Sequence, residues 1–109
     1  VLDYGPGERE ALRKLLGERG LRHVVLAGYN NLTADMEHGE VPMREINAGY
    51  IVELARLAHD IGAQSVRLFT GYDNPVADYT RQWRLIIDTL REAAARCADT
   101  GVVLGIQNH

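Results

Sequence analysis

The stretch Leu57-Ala-His-Asp-Ile-Gly-Ala-Gln-Ser-Val-Arg-Leu-Phe69 decides the fold. Its first part continues a helix, because apolar residues recur at three- and four-residue spacing and form one stripe. The stripe comprises Ile46, Tyr50, Leu54, Leu57 and Ile61. Gly62 is placed to end that helix, and Ser65–Phe69 reads as a buried β-strand. The stretch therefore predicts a helix, a glycine and a strand in immediate succession.

The same unit occurs upstream of this stretch. Glu8–Arg19 is charged on one side and apolar on the other, which predicts a helix packed on one face. Its apolar side consists of Leu12, Leu15 and Leu16. Gly20 follows this helix, and the continuous apolar content of His23–Ala27 predicts a buried strand.

The unit also occurs downstream. A helix is predicted from about Val76 to Ala98, followed by Gly101 and a strand over Val102–Ile106. The predicted core side of this helix comprises Tyr79, Trp83, Ile86, Leu90, Ala94 and Cys97. Strands that alternate with helices predict parallel strands joined by right-handed crossovers. A closed β/α barrel and an open doubly wound sheet both satisfy this pattern.

Size and composition predict one soluble α/β domain over residues 1–109. Of its residues, 46% are hydrophobic and 25% are charged, and the net charge is -3. This acidic balance argues against nucleic acid as a partner, and acidic and basic residues are mixed along the helices. One cysteine, Cys97, cannot form an intrachain disulfide and is expected to be a packed thiol. There is neither a signal peptide pattern nor an apolar run of about 20 residues, so a cytoplasmic protein without a membrane partner is expected.

Polar side chains follow all three predicted strands. Tyr29 and Asn30 follow the first strand, Tyr72 follows the second, and Gln107-Asn108-His109 follows the third. The carboxyl ends of parallel strands share one edge, where α/β enzymes place their chemistry. Because phenols and planar amides suit hydroxyl groups, Tyr29, Asn30, Tyr72 and Asn108 are predicted to contact a sugar or polyol substrate. There is no glycine-rich nucleotide-binding turn after a strand, which disfavours the common nucleotide-binding sheets.

Three stretches of the chain resemble the xylose isomerase-like β/α barrels. Leu57–Phe69 is similar to the family's sequence of helix, Ile/Leu-Gly-Ala and strand. Leu90–His109 resembles its third helix and fourth strand, and Glu8–Ala27 its first helix and second strand. The resemblance implies a partial (β/α)8 TIM barrel of about three to four parallel units, the front half of the barrel. It makes Val1–Asp3 the tail of the first strand. With Val1 in place of methionine and an abrupt end after His109, a truncated chain is expected.

The resemblance also implies a divalent metal in the parent enzyme, namely Mn, Mg, Co or Zn. In the family, a glutamate ends the fourth strand and holds this metal, and here Gln107 stands at that position. Glutamine offers a neutral oxygen and no charge, so ligation by Gln107 is expected to be weaker. Gln107 and His109 are the metal contacts that the resemblance implies, and binding of metal by this chain alone is left open.

Two hypotheses of function follow. The first is a fragment of a sugar or sugar-phosphate isomerase or epimerase, which moves a proton beside a carbonyl with the help of a metal. Its acid/base residues are not identified in this chain, which is expected to be inactive alone. The second is a non-catalytic small α/β domain for sugar binding or assembly. In either case the open edges of a partial barrel invite a homodimer.

Overall fold

The computed structural model describes residues 1–108, in which helices alternate with strands as the sequence predicts. Helix α1 precedes strand β1, α2 precedes β2, and α3 with a short 3₁₀ helix precedes β3. The bounds are α1 Pro6–Glu18, β1 Val25–Ala27, α2 Met43–Ile61, β2 Ser65–Phe69, α3 Tyr79–Arg96, the 3₁₀ helix Ala98–Thr100 and β3 Val103–Gln107.

The three strands form one parallel sheet in the order β1-β2-β3. Val25 of β1 pairs with Ser65 of β2, and Ser65 pairs with Val103 of β3. Helix α2 packs against α1 on one side and α3 on the other, in one layer. Because right-handed crossovers in one direction place their helices on one face, this order favours a barrel segment over a doubly wound sheet. The α/β class and the parallel units are confirmed.

The core lies between the sheet and this helix layer. Val66 and Leu68 of β2 are fully buried there, against Leu54, Leu57 and other residues of α2. Cys97 is also buried, in a cluster with Val52 and Ala55, so the prediction of a packed thiol is confirmed. Burial raises the pKa of the Cys97 thiol, which makes it a weaker nucleophile.

Glycines end the helical segments as predicted. Gly62 caps α2 in the left-handed conformation, with a φ of 80°. Gly20 and Gly101 also have positive φ, of 69° and 67°. At the other end of α3, the Asp78 side chain accepts a hydrogen bond from the backbone N–H of Arg81 and fixes the helix start.

Two strand predictions are corrected by the structure. Val1–Asp3 is not a strand but part of a turn, in which the backbone N–H of Tyr4 donates to the carbonyl of Val1 at 3.0 Å. The strand predicted over His23–Ala27 is shorter, and Val25 at its start is 59% exposed. Its side chain lies on the sheet face that the helices do not cover, so an apolar run does not imply burial on both faces here.

Five apolar residues predicted to face the core are also corrected, among them Tyr79, which is 70% exposed, and Ala94, which is exposed as well. Ile46 in the first turn of α2 is 51% exposed, and Leu15 of α1 is 47% exposed. Trp83 of α3 is 41% exposed, because α3 turns a neighbouring line of residues toward the core. That line is Gln82, Ile86, Thr89 and Ala93.

Candidate functional site

The uncovered sheet face is defined by the alternation of side chains along the strands. Val66 and Leu68 point to the helices, so Ser65, Arg67 and Phe69 point away from them. In register with these residues lie Ala27 of β1 and Gly105 and Gln107 of β3. The uncovered face and the loops at its carboxyl edge together form the candidate site.

The tip of the first loop is exposed at this edge. Tyr29 is 80% exposed, and its ring meets the Phe69 ring edge to face at 6.3 Å between centroids. Its backbone N–H donates to the Tyr50 hydroxyl of α2 at 3.3 Å, which ties the loop to the helix layer. The Tyr29 phenol is therefore presented at the rim on a fixed backbone.

Asn30 has a different environment from Tyr29. It is buried, its amide nitrogen donates to the carbonyl of Phe69, and its amide oxygen accepts from the Phe69 N–H at 3.1 Å. The side chain thus continues the β1–β2 pairing beyond the end of β1. Both amide atoms have protein partners, so in this structure Asn30 positions Phe69, and its predicted contact with substrate stays a prediction.

The second loop is held against the first by Asn31 and Thr33. The Asn31 side-chain oxygen accepts from the backbone N–H of Tyr72 and of Thr33, both at 3.2 Å. The Thr33 hydroxyl contacts the Tyr72 carbonyl oxygen. Gly71 is required at this junction, because it has a φ of 119° and a Cβ there would lie 2.5 Å from the Asn31 oxygen.

This junction brings the two predicted tyrosines together. A hydrogen bond with the Tyr29 side chain raises the pKa of the Tyr72 phenol above its usual value. Tyr72 is 53% exposed, so the phenol pair is open to solvent. A pair of linked phenols presents a donor and acceptors to a ligand rich in hydroxyl groups.

Gln107 and Asn108 complete the described part of the rim. Gln107 ends β3 beside Phe69 in register, and both Gln107 and Asn108 are exposed. The structure therefore brings Tyr29, Tyr72 and Gln107 around one aromatic side chain. The predicted metal contact His109 lies outside the described residues.

Comparisons with known proteins agree with this geometry. A family model described as xylose isomerase-like TIM barrel matches residues 1–109. The chain belongs to the xylose isomerase-like TIM barrel family. The predicted identification and the fold, part of a (β/α)8 barrel, are thereby confirmed.

One solved structure of a longer chain shows the same fold. A D-tagatose 3-epimerase-like protein superimposes with a TM-score of 0.72 at 19% sequence identity. The alignment covers 94% of this chain and 38% of that protein. At this identity the likeness establishes the fold alone. No curated protein matches the chain.

The family is often metal-dependent, and the described rim offers few ligands for a divalent metal. Gln107 supplies one neutral oxygen, whereas hard cations take several oxygen ligands that include carboxylates. Among residues 1–108, Asp35, Glu37 and His38 bring ligand atoms within 4.8 Å of one another, but all three are exposed in the long loop. That loop borders a groove lined by Met43, Arg81 and Leu85 of the helix layer. The rim residues that the structure describes do not by themselves form a metal site.

Sequence reasoning missed two residues that shape the site. Gln82 of α3 is buried, and its side-chain amide donates to Asp73 and to the Asn74 carbonyl, both at 2.9 Å. Arg67, the second of them, lies on the uncovered face. The alternation within Ser65-Val-Arg-Leu-Phe69 could have revealed it, since a charged residue inside an apolar strand must face away from the core.

No helix in residues 1–108 is long and apolar enough to cross a membrane.

Proposed function

We propose that this chain is the front half of a sugar isomerase or epimerase barrel and that its rim contacts the substrate hydroxyl groups. The phenol pair of Tyr29 and Tyr72, exposed beside Phe69 at the carboxyl edge of the sheet, is the observation that carries the proposal. Family membership supports the position of this rim, because β/α barrels place their active sites on that edge. Gln107 and Asn108 extend the same rim, and they are proposed as further contacts together with His109, which lies outside the described residues.

The two tyrosines have defined roles in this proposal. The aromatic edge formed by Tyr29 and Phe69 packs against the apolar face of a sugar ring, and the linked hydroxyls bind its polar edge. The hydrogen bond with Tyr29 stabilises the protonated form of Tyr72, so Tyr72 does not act as a base, and the linked pair offers the sugar one remaining O–H donor and its acceptor oxygens.

Proton transfer beside the carbonyl is proposed for the whole enzyme and not for these residues alone. The strand positions on the uncovered face carry no carboxylate or imidazole among residues 1–108, so no acid or base is assigned there. The metal of the parent enzyme supplies polarisation of a carbonyl in this chemistry. The described rim does not form a metal site. The chain is therefore proposed to be inactive alone.

A titration of the chain with D-fructose, followed by NMR chemical shifts, tests the substrate contact. The double variant Tyr29→Phe/Tyr72→Phe should bind about tenfold more weakly, because two hydroxyl hydrogen bonds are lost. Tyr4→Phe is the matched control, since Tyr4 precedes α1 and lines a cavity with Arg9 and Asp60 instead. Equal affinity in the double variant and the wild type, or no binding by the wild type, contradicts the proposal.

A second candidate is a non-catalytic domain for sugar binding or assembly. It is favoured by the uncovered apolar side chains of the sheet, since Val25 and Val103 are 59% and 63% exposed. Such strands suit pairing with a second copy of the chain. This candidate predicts that the chain sediments as a dimer and that a Val103→Lys variant sediments as a monomer. A wild-type chain that is monomeric at all concentrations would count against it.

A further inference from the structure

Arg67 is the one charged side chain among the described strand residues of the uncovered face. It lies in the middle of β2, and its register partners are Ala27 on β1 and Gly105 on β3. The two neighbouring strands therefore place only a methyl group and a hydrogen atom beside Arg67. A Cβ built at Gly105 would meet only the Val66 carbonyl, at 3.7 Å.

The Arg67 side chain extends toward the candidate rim. Its guanidinium carbon lies 4.8 Å from the centroid of the Phe69 ring, two residues closer to the carboxyl edge. Stacking on this ring orients the guanidinium of Arg67. The same Phe69 ring contacts Tyr29, so the cation and the phenol pair share one platform.

Arg67 has no anionic partner within residues 1–108. Its Nε is buried and has no hydrogen-bond partner. Arg9 binds Asp60 at 2.7 Å, and three further arginines also pair with carboxylates, whereas the others that form no ion pair among residues 1–108, such as Arg84, are exposed. The Nε–H of Arg67 is therefore a donor that no residue among 1–108 uses.

We propose that Arg67 binds an oxyanion of the substrate, so that the substrate of the proposed function is an anionic sugar, a sugar phosphate or a sugar acid. A guanidinium offers a planar pair of N–H donors that matches phosphate or carboxylate oxygens. The inference rests on the proposed function, because the phenol pair would hold the hydroxyl groups of the same molecule. Arg67 thereby determines specificity for charge, and the tyrosines determine binding of the sugar itself.

The test compares three probes on the 109-residue chain at low ionic strength: D-fructose, D-fructose 6-phosphate and D-glucuronate. The wild type should bind at least one charged probe about tenfold more tightly than fructose, as expected of one charge-assisted contact. The two charged probes distinguish the phosphate from the carboxylate. In Arg67→Gln this preference should disappear while fructose affinity changes by less than about twofold.

Two further variants make the result specific. Arg84→Gln removes the same charge from an exposed position of α3 and should leave all affinities within about twofold. Arg67→Lys keeps the charge but loses the planar fork, so it should recover only part of the preference. A preference that survives in Arg67→Gln overturns the inference.

A readout on the wild type covers the case in which Arg67→Gln does not fold by circular dichroism. The NMR resonance of the Arg67 Nε–H should shift on addition of inorganic phosphate, with the same midpoint as displacement of the charged probe. A resonance unmoved by phosphate overturns the inference. Equal binding of fructose and both charged probes overturns it while the proposed function stands, and binding of no probe overturns both.

Discussion

The two faces of the sheet have the same backbone but different side chains and different neighbours. On the helix side, Val66 and Leu68 are fully buried in a continuous apolar core. On the uncovered side, Arg67 and Phe69 are partly exposed beside the Tyr29–Tyr72 pair. Within one strand, alternate residues therefore have different roles: those facing the helices stabilise the fold, and those facing away are available for ligand contact. A period of two in the strand is sufficient to divide these tasks.

This division has a consequence for mutation. Side chains on the helix side contribute through packing, so their loss should change stability. Side chains on the uncovered side have few apolar neighbours, and their loss should change binding instead. A mutation at the Gly71 loop junction should change both stability and binding. The junction positions the rim through its backbone conformation and its hydrogen bonds.

The largest expected difference is between two identical substitutions on the two faces. Val66→Ala should lower the free energy of unfolding by about 2 to 3 kcal/mol, because a fully buried side chain leaves a cavity. Val103→Ala, at a position that is 63% exposed on the other face, should change it by less than about 0.5 kcal/mol. Urea unfolding followed by circular dichroism measures both. Equal losses in the two variants would contradict the division between the faces.

A smaller effect is expected at the junction of the two loops. Gly71→Ala should cost about 1 to 2 kcal/mol, because it forces a φ of 119° on a residue with a Cβ and brings that atom against Asn31 and Thr33. Gly39→Ala is the matched control in the first loop, where a Cβ would meet nothing within 4 Å. Gly71→Ala should also weaken fructose binding, since Tyr72 follows directly. Wild-type stability together with wild-type binding in Gly71→Ala would show that the junction does not position the rim.

Much of this fold can be predicted from the sequence because its strands and glycines give strong local signals. β2 has the predicted bounds, and the glycine after α2 has the left-handed conformation that its position implies. The rim could be predicted as well, since parallel strands bring their carboxyl ends to one edge whatever the loops do. Tyr29 and Tyr72, which are far apart in sequence, meet for this reason.

The orientation of α3 could not be predicted from hydrophobicity. Its buried line includes Gln82 and Thr89, two polar residues whose hydrogen bonds are satisfied. Gln82 binds the second loop, and the Thr89 hydroxyl donates to the Leu85 carbonyl at 2.7 Å. Trp83 was assigned to the core because apolar side chains were expected there. Polar residues can replace them where each donor has an acceptor.

The role of Asn30 could not be predicted from the sequence either. An asparagine in a polar loop after a strand is compatible with a turn, a ligand contact or a backbone mimic. The structure shows the third arrangement, because both amide atoms pair with the Phe69 backbone. That pairing depends on the register between β1 and β2, which local patterns do not contain.

The smallest expected effect is on the titration of a single phenol at the rim. The hydrogen bond with Tyr29 is the largest cause of the raised pKa of Tyr72, so Tyr29→Phe should lower that pKa toward its usual value. In the wild type, Tyr72 should stay protonated to a higher pH than a free tyrosine. Titration of the Tyr72 ring carbon by NMR measures the shift, and Tyr4→Phe serves as the control that leaves it unchanged. An unaltered Tyr72 pKa in Tyr29→Phe would mean that the two phenols are not linked in solution, and the uncovered face would then present two separate tyrosines instead of one paired contact.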